Sequence, residues 1–399
     1  MKNLKIYKVM MILTIVIALM IPQKVYGIDN SNDKVLVPES SLSNEEVKGM
    51  NDLYKYITDM KSEYEIMSDL NPKAYIENVM KSGESGLNIK DITKYFLKYI
   101  TREIGSTFQF LLVLIVVALL SSLLQNLQEA FKTGEVSNIA YFACYAIIVV
   151  IMTKSFLLGV NLGKDTIFRI KEFMNALVPI LIMLLASMGA FTQAALMDPV
   201  IVFISNIGVT FICNIIFPLI LISFVLNFVN NLCEESKVEK LGKLIKGGVL
   251  WAQGTLMTVF VTFLTIRGIT AKGLDEFTIK TAKFAVDTFI PVVGGCLSDA
   301  VSTVAGYTGL VKNAVGTLGL VMIIIIGIFP IIKLAIMAIA YKFTAAVIEP
   351  ISNKKIVSCI SSAGDSLGLI IASVVCVSVM CFIMICIVLS TTATMSSLG

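Results

Sequence analysis

The chain has 399 residues, 56% of them hydrophobic and only 15% charged, with a formal net charge of +4 and a mean hydropathy of +0.86. Soluble domains carry about 25% charged residues, so this apolar excess cannot be hidden in one globular core and needs lipid. No block is basic enough for nucleic-acid binding, and the absence of histidine removes the commonest general base, metal ligand and pH switch together.

Lys2, Lys5 and Lys8 precede an apolar run from Val9 to Ile21, then Pro22 and Val25-Tyr26-Gly27. A basic start, a short apolar core and small residues at −3 and −1 predict a signal peptide over 1–27, cleaved after Gly27. The 13-residue core, about 20 Å as a helix, is short for a permanent span. Residues 28–106 form an extracytoplasmic segment with 14 acidic and 10 basic groups. Within it Ser43-Asn44-Glu45-Glu46 offers a capping box ahead of the helical stripe Val47, Met50, Tyr54, Ile57, Tyr64. Asn71-Pro72 restarts a helix that Gly83 and Gly86 end, and Ile89, Ile92, Phe96, Tyr99, Ile100 mark a third amphipathic stretch. Three short helices bury little, so this segment is expected to lean on the membrane or a partner.

Residues 107–399 form the polytopic membrane domain. Its apolar stretches are Phe108–Leu124, Ile139–Val160, Ala176–Ala195, Val200–Val229, Val249–Ile266, Thr288–Gly309, Ala314–Ile348 and Leu367–Ser390. The fourth and seventh exceed a bilayer thickness and must tilt or kink. Lys154 sits near the end of the second, where it can snorkel. The eight cysteines (Cys144, Cys213, Cys233, Cys296, Cys359, Cys376, Cys381, Cys386) all lie in or beside apolar segments, with no CxxC pair. They read as small buried hydrophobes rather than as metal ligands or a disulfide framework.

Proline spacing reveals an internal repeat. Pro179 and Pro218 are 39 residues apart, as are Pro291 and Pro330, and the pairs superpose at an offset of 112. Lys171 and Lys283 share that offset, as do Asn175 and Asp287. A basic linker follows each long helix: Lys237, Lys240, Lys243, Lys246 in the first unit, Lys354 and Lys355 in the second. We read two units, about 164–266 and 276–390, with these prolines as hinges. Such duplication is frequent in proteins that conduct or carry solutes.

The fold class is therefore all-α and polytopic, with six to eight transmembrane or re-entrant helices. Six spans plus re-entrant 176–195 and 288–309 put both basic linkers in the cytoplasm, as the positive-inside rule prefers; eight strict spans put them outside. The second of those segments carries Gly294, Gly295, Ser298, Asp299, Ser302 and Thr303, which suits protein or water rather than lipid.

Candidate pore or repeat-interface residues are Asn206, Thr210 and Asn214, a polar stripe at four-residue spacing, together with Asp299 and Lys333. The stripe serves helix–helix hydrogen bonding as well as a pore lining. Asp299 costs about 2.5–3.5 kcal/mol at a helix centre, so it should face a partner, a cavity or water. Lys333 either snorkels or pairs with an acid on a neighbouring helix. The linker Val238–Gly248 sets Val238, Leu241, Leu244 and Ile245 opposite Lys240, Lys243 and Lys246, with Lys237 just ahead of it, an interfacial amphipathic helix. There is no Walker motif, metalloprotease helix, GxSxG or paired membrane acids. The reading is therefore no enzyme, with no catalytic residue, cofactor or metal site.

Lys283-Phe284-Ala285-Val286-Asp287-Thr288-Phe289-Ile290-Pro291-Val292-Val293-Gly294-Gly295, followed by Leu297-Ser298-Asp299-Ala300, resembles the signature region of the stage III sporulation protein AE family. Val311-Lys312-Asn313-Ala314-Val315-Gly316 and Ile328-Phe329-Pro330 continue the likeness. The resemblance implies a multi-pass protein of the mother-cell membrane around the forespore in endospore-forming bacteria. It implies a transenvelope channel apparatus with other stage III membrane and ring proteins, a secretion-type ATPase and a forespore membrane partner. It transfers no catalytic residue and no solute. A self-contained secondary transporter or pore, and a non-conducting scaffold for ring and ATPase subunits, remain the alternative readings.

Overall fold

The computed structural model describes residues 44–61, 71–82, 89–131, 134–191, 194–195, 207–232, 240–264, 294–352 and 354–390. No β-strand occurs among them. In chain order the helices are α1 (Asn44–Lys61), α2 (Pro72–Ser82), α3 (Ile89–Phe131), α4 (Gly134–Ser187), α5 (Phe217–Leu232), α6 (Lys240–Leu264), α7 (Gly294–Ile348) and α8 (Lys354–Ser390). Six helical stretches among the described residues are long and apolar enough to cross a membrane: Thr93–Leu120, Tyr145–Ser187, Val209–Asn230, Lys240–Leu264, Thr308–Ile348 and Lys354–Leu389. The chain is an all-α, multi-pass membrane protein. The signal segment, Gly27 and Ser43 lie outside the described residues.

The helices are longer than the sequence stretches suggest, because apolar segments separated in hydropathy are joined in backbone. Ile139–Val160 and the start of Ala176–Ala195 are one helix, α4, of 54 residues, about 81 Å at 1.5 Å per residue. Lys164, Asp165, Arg169, Lys171 and Glu172 bridge the two without breaking the ladder. Likewise Gly294–Gly309 continues into Ala314–Ile348 as α7, of 55 residues. The described parts of the two segments expected to be re-entrant are thus extensions of neighbouring helices. Glycine and a lone aspartate lower helix propensity by less than a long, packed helix supplies.

Local chemistry sets the ends. Asn71 caps α2: its Oδ1 accepts from the Lys73 and Ala74 amides at 3.2 and 3.3 Å, with Pro72 in the first turn. α4 stops at Gly189, whose φ of 83° only glycine adopts cheaply. The Gly189 and Ala190 amides donate back to Ala186 and Leu185 at 2.9 and 3.1 Å, a Schellman closure. Pro218 lacks an amide hydrogen, and π-helical turns over Ile212–Ile216 precede it. Pro330 sits inside α7 and Pro179 inside α4. Pro218 and Pro330 are the offset pair for which both members are described; Pro291 lies outside.

α7 and α8 are an antiparallel hairpin closed by small residues. A Cβ on Gly364 would come within 2.9 Å of the Ala338 carbonyl, and one on Gly327 within 3.0 Å of Ser378 Oγ. Gly316 faces Leu389 at the far end. α4 runs antiparallel to α7, with Gly319 against Leu177 and Tyr341 Oη donating to the Met152 carbonyl at 3.4 Å. It runs parallel to α8, with Gly159 against Leu367 and Gly163 against Ile370, so close that a Cβ on either glycine would come within 2.6 Å of its neighbour. α8 is the central helix: it packs on α4, α5 and α7 and exposes no large apolar side chain.

α1 and α2 lean on the bundle, as a segment too small to bury its own core must. Leu53, Ile57 and Met60 of α1 are buried, and Tyr56 Oη donates to the Arg169 carbonyl of α4 at 3.4 Å. Val47, counted in the expected stripe, is exposed, and Tyr64 lies outside the described residues. α2 buries Tyr75 and Ile76 beside α7. We call the half of the bundle carrying α1 and α2 the upper half. The half with the α3–α4 and α7–α8 turns is the lower.

Candidate functional site: polar and charged contacts between the long helices

Polar groups inside an apolar bundle persist only when partnered, so the partnered ones mark the helix surfaces that matter. Three charged contacts join the long helices: those of Glu103 and Lys312 are buried, and that of Asp365 is half-exposed.

The first joins α3 to α7. Glu103 is buried, and both its carboxylate oxygens lie 3.3 Å from Lys333 Nζ. One turn earlier Tyr99 Oη donates to the Phe329 carbonyl at 3.3 Å, and the two rings meet edge-on at 4.8 Å. Four-residue spacing on both helices aligns the two contacts. Lys333 is therefore a paired cation, one of the two roles expected from the sequence.

The second cluster joins α6, α7 and α8. Asp365 accepts from Lys342 at 3.0 Å and lies 3.9 Å from Lys246. Two cations share one carboxylate, leaving a local excess of positive charge. Further along the same pair of helices, Gln253 Nε2 donates to Ser373 Oγ at 2.6 Å, and Ser373 Oγ donates to the Leu369 carbonyl at 3.0 Å.

The third is Lys312 of α7, fully buried, whose Nζ donates to the Val388 carbonyl at 2.9 Å. Val388 belongs to the last turn of α8, where carbonyls have no intrahelical partner and the helix dipole is negative.

Of the residues singled out from sequence, Thr210 and Asn214 lie on the outer, exposed face of the helix leading into α5. Asn206 and Pro291 are outside the described residues. Asp299 falls in the early turns of α7, its side-chain surroundings outside the described residues. The structure therefore brings Lys333 into a contact and leaves Thr210 and Asn214 apart from it. Sequence reasoning misses Glu103, Lys312 and Asp365 as contact residues. The signal is there to be read: each is a charge within or beside a long apolar run.

Outside the spans, burial pushes the Tyr54 phenol up to about 12, with the Glu77 carboxylate adding to the effect. Tyr56 is also pushed up to about 12, first by burial and then by Glu172, against a smaller opposing pull from Arg169. Among the described residues no group of cysteine and carboxylate side chains is placed to hold a metal ion. The described geometry holds long helices in register and sets fixed charges between them.

Comparison with known proteins supplies the biological context. The model of a family described as stage III sporulation protein AE matches residues 70–392. A relative of the same name from Bacillus subtilis (strain 168) is 32% identical over 326 residues, 81% of this chain and 81% of its own. No solved structure matches.

Proposed function

The chain belongs to the stage III sporulation protein AE family, and from that premise we propose that it is a membrane-embedded core subunit of a multiprotein transenvelope channel needed for sporulation. In this reading it resides in the mother-cell membrane around the forespore, its N-terminal segment extracytoplasmic. It works with other stage III membrane and ring proteins, a secretion-type ATPase and a partner in the forespore membrane.

The observation that carries the reading is the set of charged contacts between the long helices. A self-sufficient bundle gains little from Asp365 shared between Lys246 and Lys342, since the carboxylate is half-exposed and exposed ion pairs add little stability. Charges kept at such positions suit a surface that meets other subunits or water. Six crossings, with both basic linkers then on one side and cytoplasmic by the positive-inside rule, also support the reading. The repeat of units about 164–266 and 276–390 supports the second reading, a solitary transporter.

An in-frame deletion in the native host tests the proposal. Completed engulfment with collapsed late forespore transcription and loss of heat-resistant spores is the expected outcome; undiminished spore yield sinks it. Substituting Asp299 and Asn214 then separates conduction from scaffolding. Lost function with normal assembly means conduction, and unchanged function means a scaffold.

A further inference from the structure

The exposed faces of α3 and α4 change in their predominant chemistry partway along, and they do so at one height. On α4 exposed Ile147, Val150, Leu157 and Leu158, with Lys154 among them, give way to Asn161, Asp165, Glu172 and Asn175, with Phe168 among them. On α3 exposed Lys94, Lys98 and Arg102, with Leu97 among them, give way, in the opposite chain direction, to Phe108, Leu112 and Val116. Contacts fix the two switch points relative to α7: Glu103 pairs with Lys333, and Gly159 faces Leu334. On α7 itself no residue from Val311 to Ala338 is exposed, whereas Ile339, Phe343 and Val347 are, with Lys342, paired to Asp365 at 3.0 Å, exposed among them.

From this geometry we propose that the bilayer encloses only the lower half of the bundle, and that the upper half stands in water beyond it. From Lys333 to Ile351 is 18 residues of α7 and the turn that ends it, about 27 Å, close to the ~30 Å hydrocarbon thickness of a bilayer. From Lys333 back to Thr308 is a further 25 residues, about 38 Å of helix that no single bilayer also covers. Hydropathy points elsewhere, because the most apolar parts of α7 and α8 lie in the upper half. Those residues, Met322 and Ile326 on α7 and Val377 and Met384 on α8, are interior. Lipid contact is decided by what faces outward. Lower α6 exposes Leu241, Leu244 and Trp251 beside Lys240 and Lys243, the pattern of a helix at a membrane edge, with its tryptophan suited to an interface.

This placement of the bilayer does not depend on the sporulation reading and is tested without partner subunits. The full-length chain, made in membranes of a non-sporulating host, carries Asp165→Cys or Glu172→Cys in the upper half, or Val116→Cys or Val150→Cys in the lower. A membrane-impermeant maleimide is applied from each side of the membrane, before and after detergent, with the parent chain giving the background. The upper cysteines should react from one side without detergent, and the lower ones should lose labelling until detergent is added. If the upper cysteines also need detergent, or the lower ones react freely, the assignment is overturned. Asn161→Cys and Asn175→Cys replace any upper variant that fails to accumulate, since both positions are exposed.

Discussion

Lys312 has no exposure to solvent, and its ammonium donates to the Val388 carbonyl in the last turn of α8. Truncating it to alanine removes that donor and opens a void. Lys312→Ala should therefore destabilise the chain by about 1–3 kcal/mol, whereas Lys312→Met, which keeps the volume and removes the buried charge, should cost less. Thermal unfolding in detergent distinguishes the two; equal losses would mean that the charge, not the packing, is what counts. The glycines give a second pair. Gly364→Val drives a side chain against the Ala338 carbonyl, a backbone atom that cannot swing away, while Gly368→Ala meets nothing within 4 Å. The first should collapse the yield of folded protein and the second leave it within about 1 kcal/mol, since glycine in a helix interior is itself slightly unfavourable.

At the scale of elements, the contact between α3 and α7 is the most testable. Glu103→Gln leaves Lys333 without its carboxylate, and Lys333→Gln does the converse. Because the lysine is part-exposed, the coupling measured in a double-mutant cycle should be about 1 kcal/mol, above the range of an open surface pair only if the site stays dry. A coupling near zero would show that Tyr99 and Phe329 alone hold these helices together. The docking of α1 on α4 has a pH signature. The phenols of Tyr54 and Tyr56 are held near 12 when docked but return to about 10 when released. A raised acid pKa favours the docked state fully below about pH 10 and loses that advantage as pH climbs towards 12. Protease release of α1, followed from pH 7 to 11, should therefore stay flat and then rise. Ile57→Ala, which empties a fully buried site, should bring release forward at every pH, by about 2–5 kcal/mol of docking energy.

These elements also show where sequence reasoning reaches and where it stops. Asn71-Pro72 is legible as a helix start because a cap and a first-turn proline are local devices. The apolar stretches are legible for the same reason. What hydropathy cannot do is say whether two stretches share one helix: Lys164 to Glu172 looks like a loop, and it is helix because α1 and α7 pack around it. Lys333 stands out in the sequence, but its partner Glu103 is 230 residues away, and no local pattern links them. Lys312 escapes notice because it resembles a charge at the end of a span until α8 closes on it, and Asp365 because its cations come from two other helices.

At the scale of the whole molecule, six helices among the described residues long and apolar enough to cross a membrane, and a family shared with a Bacillus subtilis protein, fix the setting. Asp365→Asn leaves Lys342 and Lys246 facing each other without a counter-charge. In the native host it should lower sporulation without removing the protein from the membrane, a combination read by spore counts beside immunoblots. Spore counts unchanged at normal protein level would mean that this cluster meets neither partner nor water.

α4 has one further consequence. It is a single rod of 54 residues whose only internal proline is Pro179. Near its middle Phe156 stacks on Phe224 at 3.7 Å, and its upper end carries α1 through Phe173, Ile180 and Met183. A stiff shaft with its joint near one end behaves as a lever. A few degrees of tilt imposed among the lower helices sweeps the α1 seat sideways by several ångströms, so whatever grips the base of the molecule also aims its crown.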